Sequence, residues 1–75
     1  MEESEIRKFI RETYREMFKD NIPKVIEDAL VKEFYRCVEE YKGMGFKEDE
    51  AEILAKGTIR EVIKIGKMRV DVEGI

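Results

Sequence analysis

The chain has 75 residues, with 15 Lys or Arg against 18 Asp or Glu for a net charge of −3, one cysteine and no histidine. That length fits one domain, near the lower limit of what a single hydrophobic core holds together. The cysteine count excludes an internal disulfide, the lack of histidine leaves a structural zinc site without ligands, and the near balance of charge is not the basic excess of a dedicated nucleic-acid binder.

The first predicted element spans about residues 4–20. Ile6, Phe9, Ile10, Thr13, Tyr14, Met17 and Phe18 recur at i, i+3, i+4 spacing and fill one half of a helical wheel. Ser4 is the expected N-cap, and Asn21 the residue expected to take the left-handed turn after the helix. Pro23 then opens a second helix over about 23–42, where a missing N–H costs nothing. Its main face carries Ile26, Leu30, Phe34, Cys37, Val38 and Tyr41. Val31 and Tyr35 widen the apolar arc, which Glu27 interrupts. So wide an arc implies two neighbours: the other helices of a bundle, or one helix and a second subunit.

Gly43-Met44-Gly45-Phe46 is the next turn. A third helix follows over about 47–65, opened by Glu48, Asp49 and Glu50 against the macrodipole, with Phe46 and Ala51 spaced as a hydrophobic staple. Ala51, Leu54, Ala55, Thr58, Ile59, Val62 and Ile63 continue the stripe, and Ile53 falls on the opposite face.

After Gly66 the period changes. Met68, Val70 and Val72 alternate with Lys67, Arg69, Asp71 and Glu73, which is the two-residue period of a strand with one apolar face. The expected fold is therefore all-α: a compact three-helix bundle over residues 1–66 and an extended, strand-forming tail over 67–75. An α+β alternative ends the third helix at Gly57 and pairs Val62–Ile65 with Met68–Val72 in a hairpin spanning 59–72, Gly66 and Lys67 forming its turn.

Met44-Gly45-Phe46, with Ala51 and Leu54 seven and ten residues past Met44, locally resembles the first loop and second helix of ubiquitin-associated domains. In that family the loop contributes to a hydrophobic ubiquitin-binding patch. The match spans about eleven residues. The first helix here is far longer than the family's, and no second loop and third helix follow at the family's spacing, so no residue role carries over.

Chemistry-bearing constellations are sparse. Cys37 lies on an apolar helix face, where cysteine is an inert small hydrophobe, and paired carboxylates such as Glu39-Glu40 sit on solvated faces. No P-loop, EF-hand or dinucleotide fingerprint is spelled out, so neither catalysis nor a cofactor or metal is expected. Ser4, Thr13, Asn21 and Thr58 are the only uncharged polar side chains of their kind, there being no glutamine; Glu, Lys and Arg in their stead mark proteins of hot environments. Glu2, Glu3 and Glu5 stand where a leader would carry basic residues, and no apolar run approaches the ~20 residues of a membrane span, so the expected location is cytoplasmic, away from membranes.

The expected function is protein–protein interaction or regulation, with a second copy of the chain or another protein as partner. The tail would add as a strand to the partner's edge through Met68, Val70 and Val72, helped by the uncovered positions Val31, Tyr35 and Ile53. The alternative is a nucleic-acid-associated protein that contacts phosphates through Arg7, Arg11 and Arg15 on the first helix and Lys56, Arg60 and Lys64 on the third.

Overall fold

The computed structural model describes residues 1–74 and consists of three helices: α1 Glu3–Phe18, α2 Lys24–Gly43 and α3 Glu48–Glu73. Each falls where helical periodicity placed one, with differences at the ends. Glu2, not Ser4, precedes α1, and Glu3 and Glu5 supply the acidic first turn. Lys19, not Asn21, takes the left-handed conformation after α1 (φ 59°), and its N–H donates to the Arg15 carbonyl at 2.9 Å. Asn21 instead accepts a hydrogen bond from the Arg15 guanidinium. Gly45, at φ 104°, lies in the turn that ends α2, and Phe46 folds back edge-on to Tyr41, ring centroids 6.0 Å apart. The Lys47 N–H is met by the Glu50 carboxylate at 3.0 Å, which anchors the start of α3.

The helices run up, down and up. The Met1 amine meets Glu52 near the start of α3, whereas Lys67 stands over the Phe18 ring at the far end of α1, so α1 and α3 run the same way. The core between them takes Ile6, Ile10 and Thr13 from α1, Leu30, Val31, Phe34, Cys37 and Val38 from α2, and Ala51, Ala55, Ile59 and Ile63 from α3. Val31 belongs to this core at 5% exposure, so its part of the wide arc of α2 is covered within the chain, whereas Tyr35 is left 42% exposed. Tyr41 and Thr58 tie α2 to α3 through their hydroxyls at 3.1 Å. Thr58 also donates to the Leu54 carbonyl, so the Tyr41 hydroxyl is the donor to Thr58.

The expected tail is not extended. α3 runs through Gly57 and Gly66 without a break, carries Met68, Val70 and Val72 as helical residues, and leaves neither a free strand nor the 59–72 hairpin among the described residues. Ile75, the last residue of that tail, lies outside them. The physical reason is that Ile59, Ile63, Gly66 and Val70 fall at i, i+4, i+7 and i+11, so the helical stripe continues beneath the two-residue alternation. A helix also satisfies its own backbone, which a strand without a neighbouring edge does not.

One charge lies inside this frame. Glu27, which interrupts the apolar face of α2, is 4% exposed and has two arginines of α1 converging on it. Arg7 Nη1 donates to Glu27 Oε2 at 2.6 Å, and Arg11 Nε donates to Oε1 at 2.9 Å. Arg7 also reaches Asp28 at 2.9 Å and Glu3 at 3.1 Å. The Arg11 hydrogen bond holds the Glu27 carboxyl below its ordinary value; burial opposes this, and Arg7 adds to the lowering.

Removing the carboxylate in Glu27→Ala takes away the partner that Arg7 and Arg11 share, Arg7 keeping Asp28 and Glu3 and Arg11 turning to solvent. Destabilisation of about 2 kcal/mol is expected, measured by urea unfolding. Because the folded-state value is the depressed one, Glu27 contributes stability fully above the ordinary glutamate value of about 4.5, and that contribution fades as pH falls through the folded value. Acid titration should therefore show a larger loss of stability below the ordinary glutamate value of 4.5 in the parent than in Glu27→Gln. That variant keeps only the losses from other depressed carboxylates such as Asp28 and Glu33; equal acid sensitivity in both chains would show that those other carboxylates govern it.

Candidate interaction surface

Five exposed apolar residues lie on the C-terminal half of α3, while others, among them Val25, Met44 and Ile53, lie elsewhere on the surface. Ile59 and Ile63 are buried, but Val62, Ile65, Met68, Val70 and Val72 are 41–71% exposed. Helical geometry divides them between two faces. Val62, Gly66 and Val70 continue toward the core and line a groove of about 330 Å³, with Tyr14 and Phe18 of α1 and Ile26 and Leu30 of α2 as the other walls. The Tyr14 and Phe18 rings stack at 4.3 Å, one turn apart, and the Lys67 ammonium lies 5.6 Å from the Phe18 centroid at the edge. The groove exists because the position that would point a side chain into the core is a glycine: a Cβ on Gly66 would meet nothing within 4 Å.

The second face is formed by Ile65, Met68 and Val72 at i, i+3 and i+7, edged by Arg69 and Glu73 around a shallow hollow of about 310 Å³. Among the described residues nothing buries this stripe: the three residues are 50%, 58% and 71% exposed.

Of the residues singled out in the sequence, Met68, Val70 and Val72 are brought to this region, as helix rather than strand. Val31 is in the core. Tyr35 is partly exposed, edge-on to Phe34 with centroids 5.9 Å apart, and Ile53 is exposed nearer the other end of α3, among the residues of its second turn. Sequence reasoning missed Ile26, Val62, Ile65 and Gly66 as surface-forming residues. The signal was available for Ile65-Met68-Val72, whose helical spacing emerges once α3 is carried past Gly66.

The two basic stripes are largely engaged within the chain. Arg7 and Arg11 hold Glu27, Arg15 holds Asn21, and Lys56 and Arg60 lie 5.4 and 5.7 Å from the Phe9 centroid, with Arg60 also 3.8 Å from Glu16. Lys64 is exposed. Cys37 is buried, its thiol pushed up by that burial and by nearby Glu33, whose carboxylate lies 3.8 Å from Sγ. None of the described helices is long and apolar enough to cross a membrane. Compared with known proteins, the chain matches no family model, no curated protein and no solved structure.

Gly66→Ala places a methyl in the open groove and removes the helix penalty of glycine, so a gain of about 0.5–1 kcal/mol in unfolding free energy is expected. Gly57, which also has open space at its Cβ, serves as the companion site away from the groove. A loss of stability in Gly66→Ala alone would mean that the groove is closed in solution.

Proposed function

We propose that this chain is a small protein–protein interaction module that presents the C-terminal half of α3 to a partner. The observation that supports it most directly is the stripe Ile65, Met68 and Val72, three aliphatic side chains 50–71% exposed on one face of α3 beyond the buried Ile59 and Ile63. Scattered apolar residues are normal on a soluble domain, but contiguous ones mark a surface that is covered when the protein works. The mode of recognition is a helix face against an apolar surface, in place of strand addition, because the residues lie at helical spacing. The reading gives the chain no catalytic step of its own. The alternative reading, binding of a phosphate backbone, gains no support from Arg7, Arg11 and Arg15, whose guanidinium groups already have partners within the chain.

The test separates a surface kept for binding from one needed for folding. In the triple variant Ile65→Glu, Met68→Lys, Val72→Glu, helix content by circular dichroism and unfolding free energy should stay within about 0.5 kcal/mol of the parent, as for surface positions outside the fold's own contacts. Binding of an apolar fluorescent dye to the folded chain should fall. A loss of about 2 kcal/mol or more would assign these side chains to the core and remove the argument for a partner.

A further inference from the structure

We infer that the stripe Ile65-Met68-Val72 packs against a second copy, the two α3 helices lying antiparallel about a two-fold axis between Ile65 and Met68. Ile65 and Met68 meet the same two residues of that copy. The inference rests on the interaction reading above and names the occupant of that surface. Two features carry it: the spacing of the apolar residues and the charges that flank them.

Ile65, Met68 and Val72 occupy successive a, d and a positions of a heptad pattern, the seam along which two helices pack. Going back along α3, the same seam passes through Glu61 and Thr58, so the apolar contact is confined to the C-terminal half. Antiparallel packing sets a against d. Ile65 then opposes the partner's Met68, Met68 opposes the partner's Ile65, and Val72 comes against the partner's Glu61 at a polar rim. The two bundles extend away from this short contact in opposite directions, and each copy uses the same patch, as a two-fold interface requires.

The flanking charges select this direction. Lys64 and Asp71 lie seven residues apart on one flank of the stripe, and Arg69 lies on the other. In a parallel pair the flank of one helix faces the opposite flank of its neighbour, which sets Lys64 against the partner's Arg69 twice over. In the antiparallel pair like flanks meet, so Lys64 faces the partner's Asp71 and Asp71 faces the partner's Lys64. Within one chain Asp71 accepts from Lys67 through Oδ1; the carboxylate's second oxygen is suited to the incoming ammonium. The exposed parts of three aliphatic side chains per copy amount to less than the ~1,000 Å² that a specific interface clears, so the dimer belongs to the weak, concentration-dependent class.

Sedimentation equilibrium of the full chain from about 10 μM to 1 mM, bracketing the affinity expected of such an interface, should show a monomer–dimer equilibrium. Met68→Glu should weaken it at least tenfold. Lys64→Glu and Asp71→Lys should each weaken it roughly three- to tenfold, two pairs being lost per dimer, and the double exchange should recover most of the loss. Circular dichroism of every variant confirms that the helix persists. Direction is read by mixing Ile65→Cys and Met68→Cys chains under mild oxidation with glutathione disulfide. The antiparallel pair yields chiefly the mixed disulfide, whereas a parallel pair yields each chain linked to its own kind. In Val72→Cys the two sulfurs would belong to residues about 16 Å apart along the axis, too far to join. A monomer throughout that concentration range overturns the second copy as occupant, even where the triple variant of the preceding subsection keeps its stability and so leaves the interaction reading standing. Homodisulfides at Val72, or charge exchanges without effect, overturn the antiparallel arrangement.

Discussion

Glu27 brings a carboxylate into the seam between α1 and α2, and the placement of α1 follows from how that charge is answered. Apolar packing is not directional; on its own it would let α1 slide or roll against α2. Two arginines one turn apart, Arg7 and Arg11, reach the two oxygens of one side chain, and Arg7 extends the contact to Asp28 and Glu3. Sliding α1 by a turn one way would keep its apolar stripe in register but bring Glu3, in place of an arginine, to the buried anion. Sliding it the other way would bring Arg11 and Arg15 to Glu27 and give up the contacts of Arg7 with Asp28 and Glu27. With Arg7 and Arg11 held on that border, Ile6, Ile10 and Thr13 face the core. Tyr14 and Phe18, further along the same helix, then come to lie beside α3 as one wall of the groove. The groove thus depends on a charge pairing in the first turn of α2, beside its wall residue Ile26.

Much of this was legible in the sequence for a simple reason. A helix that buries one side writes its period into the chain, and all three helices do so. Their number and order, the limits of α1 and α2, the start of α3, and the membership of Phe34, Ala51, Ala55 and Ile59 in the core follow from that period. Glu27 was not legible in the same way. Read on its own helix it is a flaw in an apolar face; only the arginines sixteen and twenty residues earlier turn it into a fixed point, and nothing in local spacing announces a pairing across helices. The end of α1 misled for a related reason. Asn21 tolerates the left-handed turn better than lysine, yet Lys19 takes it because the helix stops there and Asn21 answers Arg15.

The C-terminal segment shows two periods competing in one stretch of chain. Met68, Val70 and Val72 satisfy a two-residue alternation, and on a helix that alternation sends neighbouring members about 200° apart. Val70 therefore joins the groove, while Met68 and Val72 join Ile65 on the outer stripe. The same residues that suggested a strand with one face are a helix with two. Sequence reasoning located the segment that looks outward and mistook its geometry, because residues 67–73 contain too few turns to establish a helical period without Ile59 and Ile63 before them. On α2 the wide arc admits either two helices of the bundle or a second subunit as cover, and the flanking helices bury Val31 while Tyr35 stays exposed.

The two glycines within α3 have a consequence for any binding event at its end. Gly57 and Gly66 sit in a helix that is well packed through Ile63 and sparsely packed afterwards, so the last turns hold their shape mainly by backbone hydrogen bonds. A glycine at the junction raises the entropy that those turns lose on becoming rigid. A partner that grips Ile65, Met68 and Val72 must supply that ordering free energy together with the contacts themselves. Affinity is then adjustable at a position that faces into the groove and touches no part of the outer stripe. Changes at Gly66 would act as a dial on the readiness of the helix, and the identity of the contact residues would be left as it is.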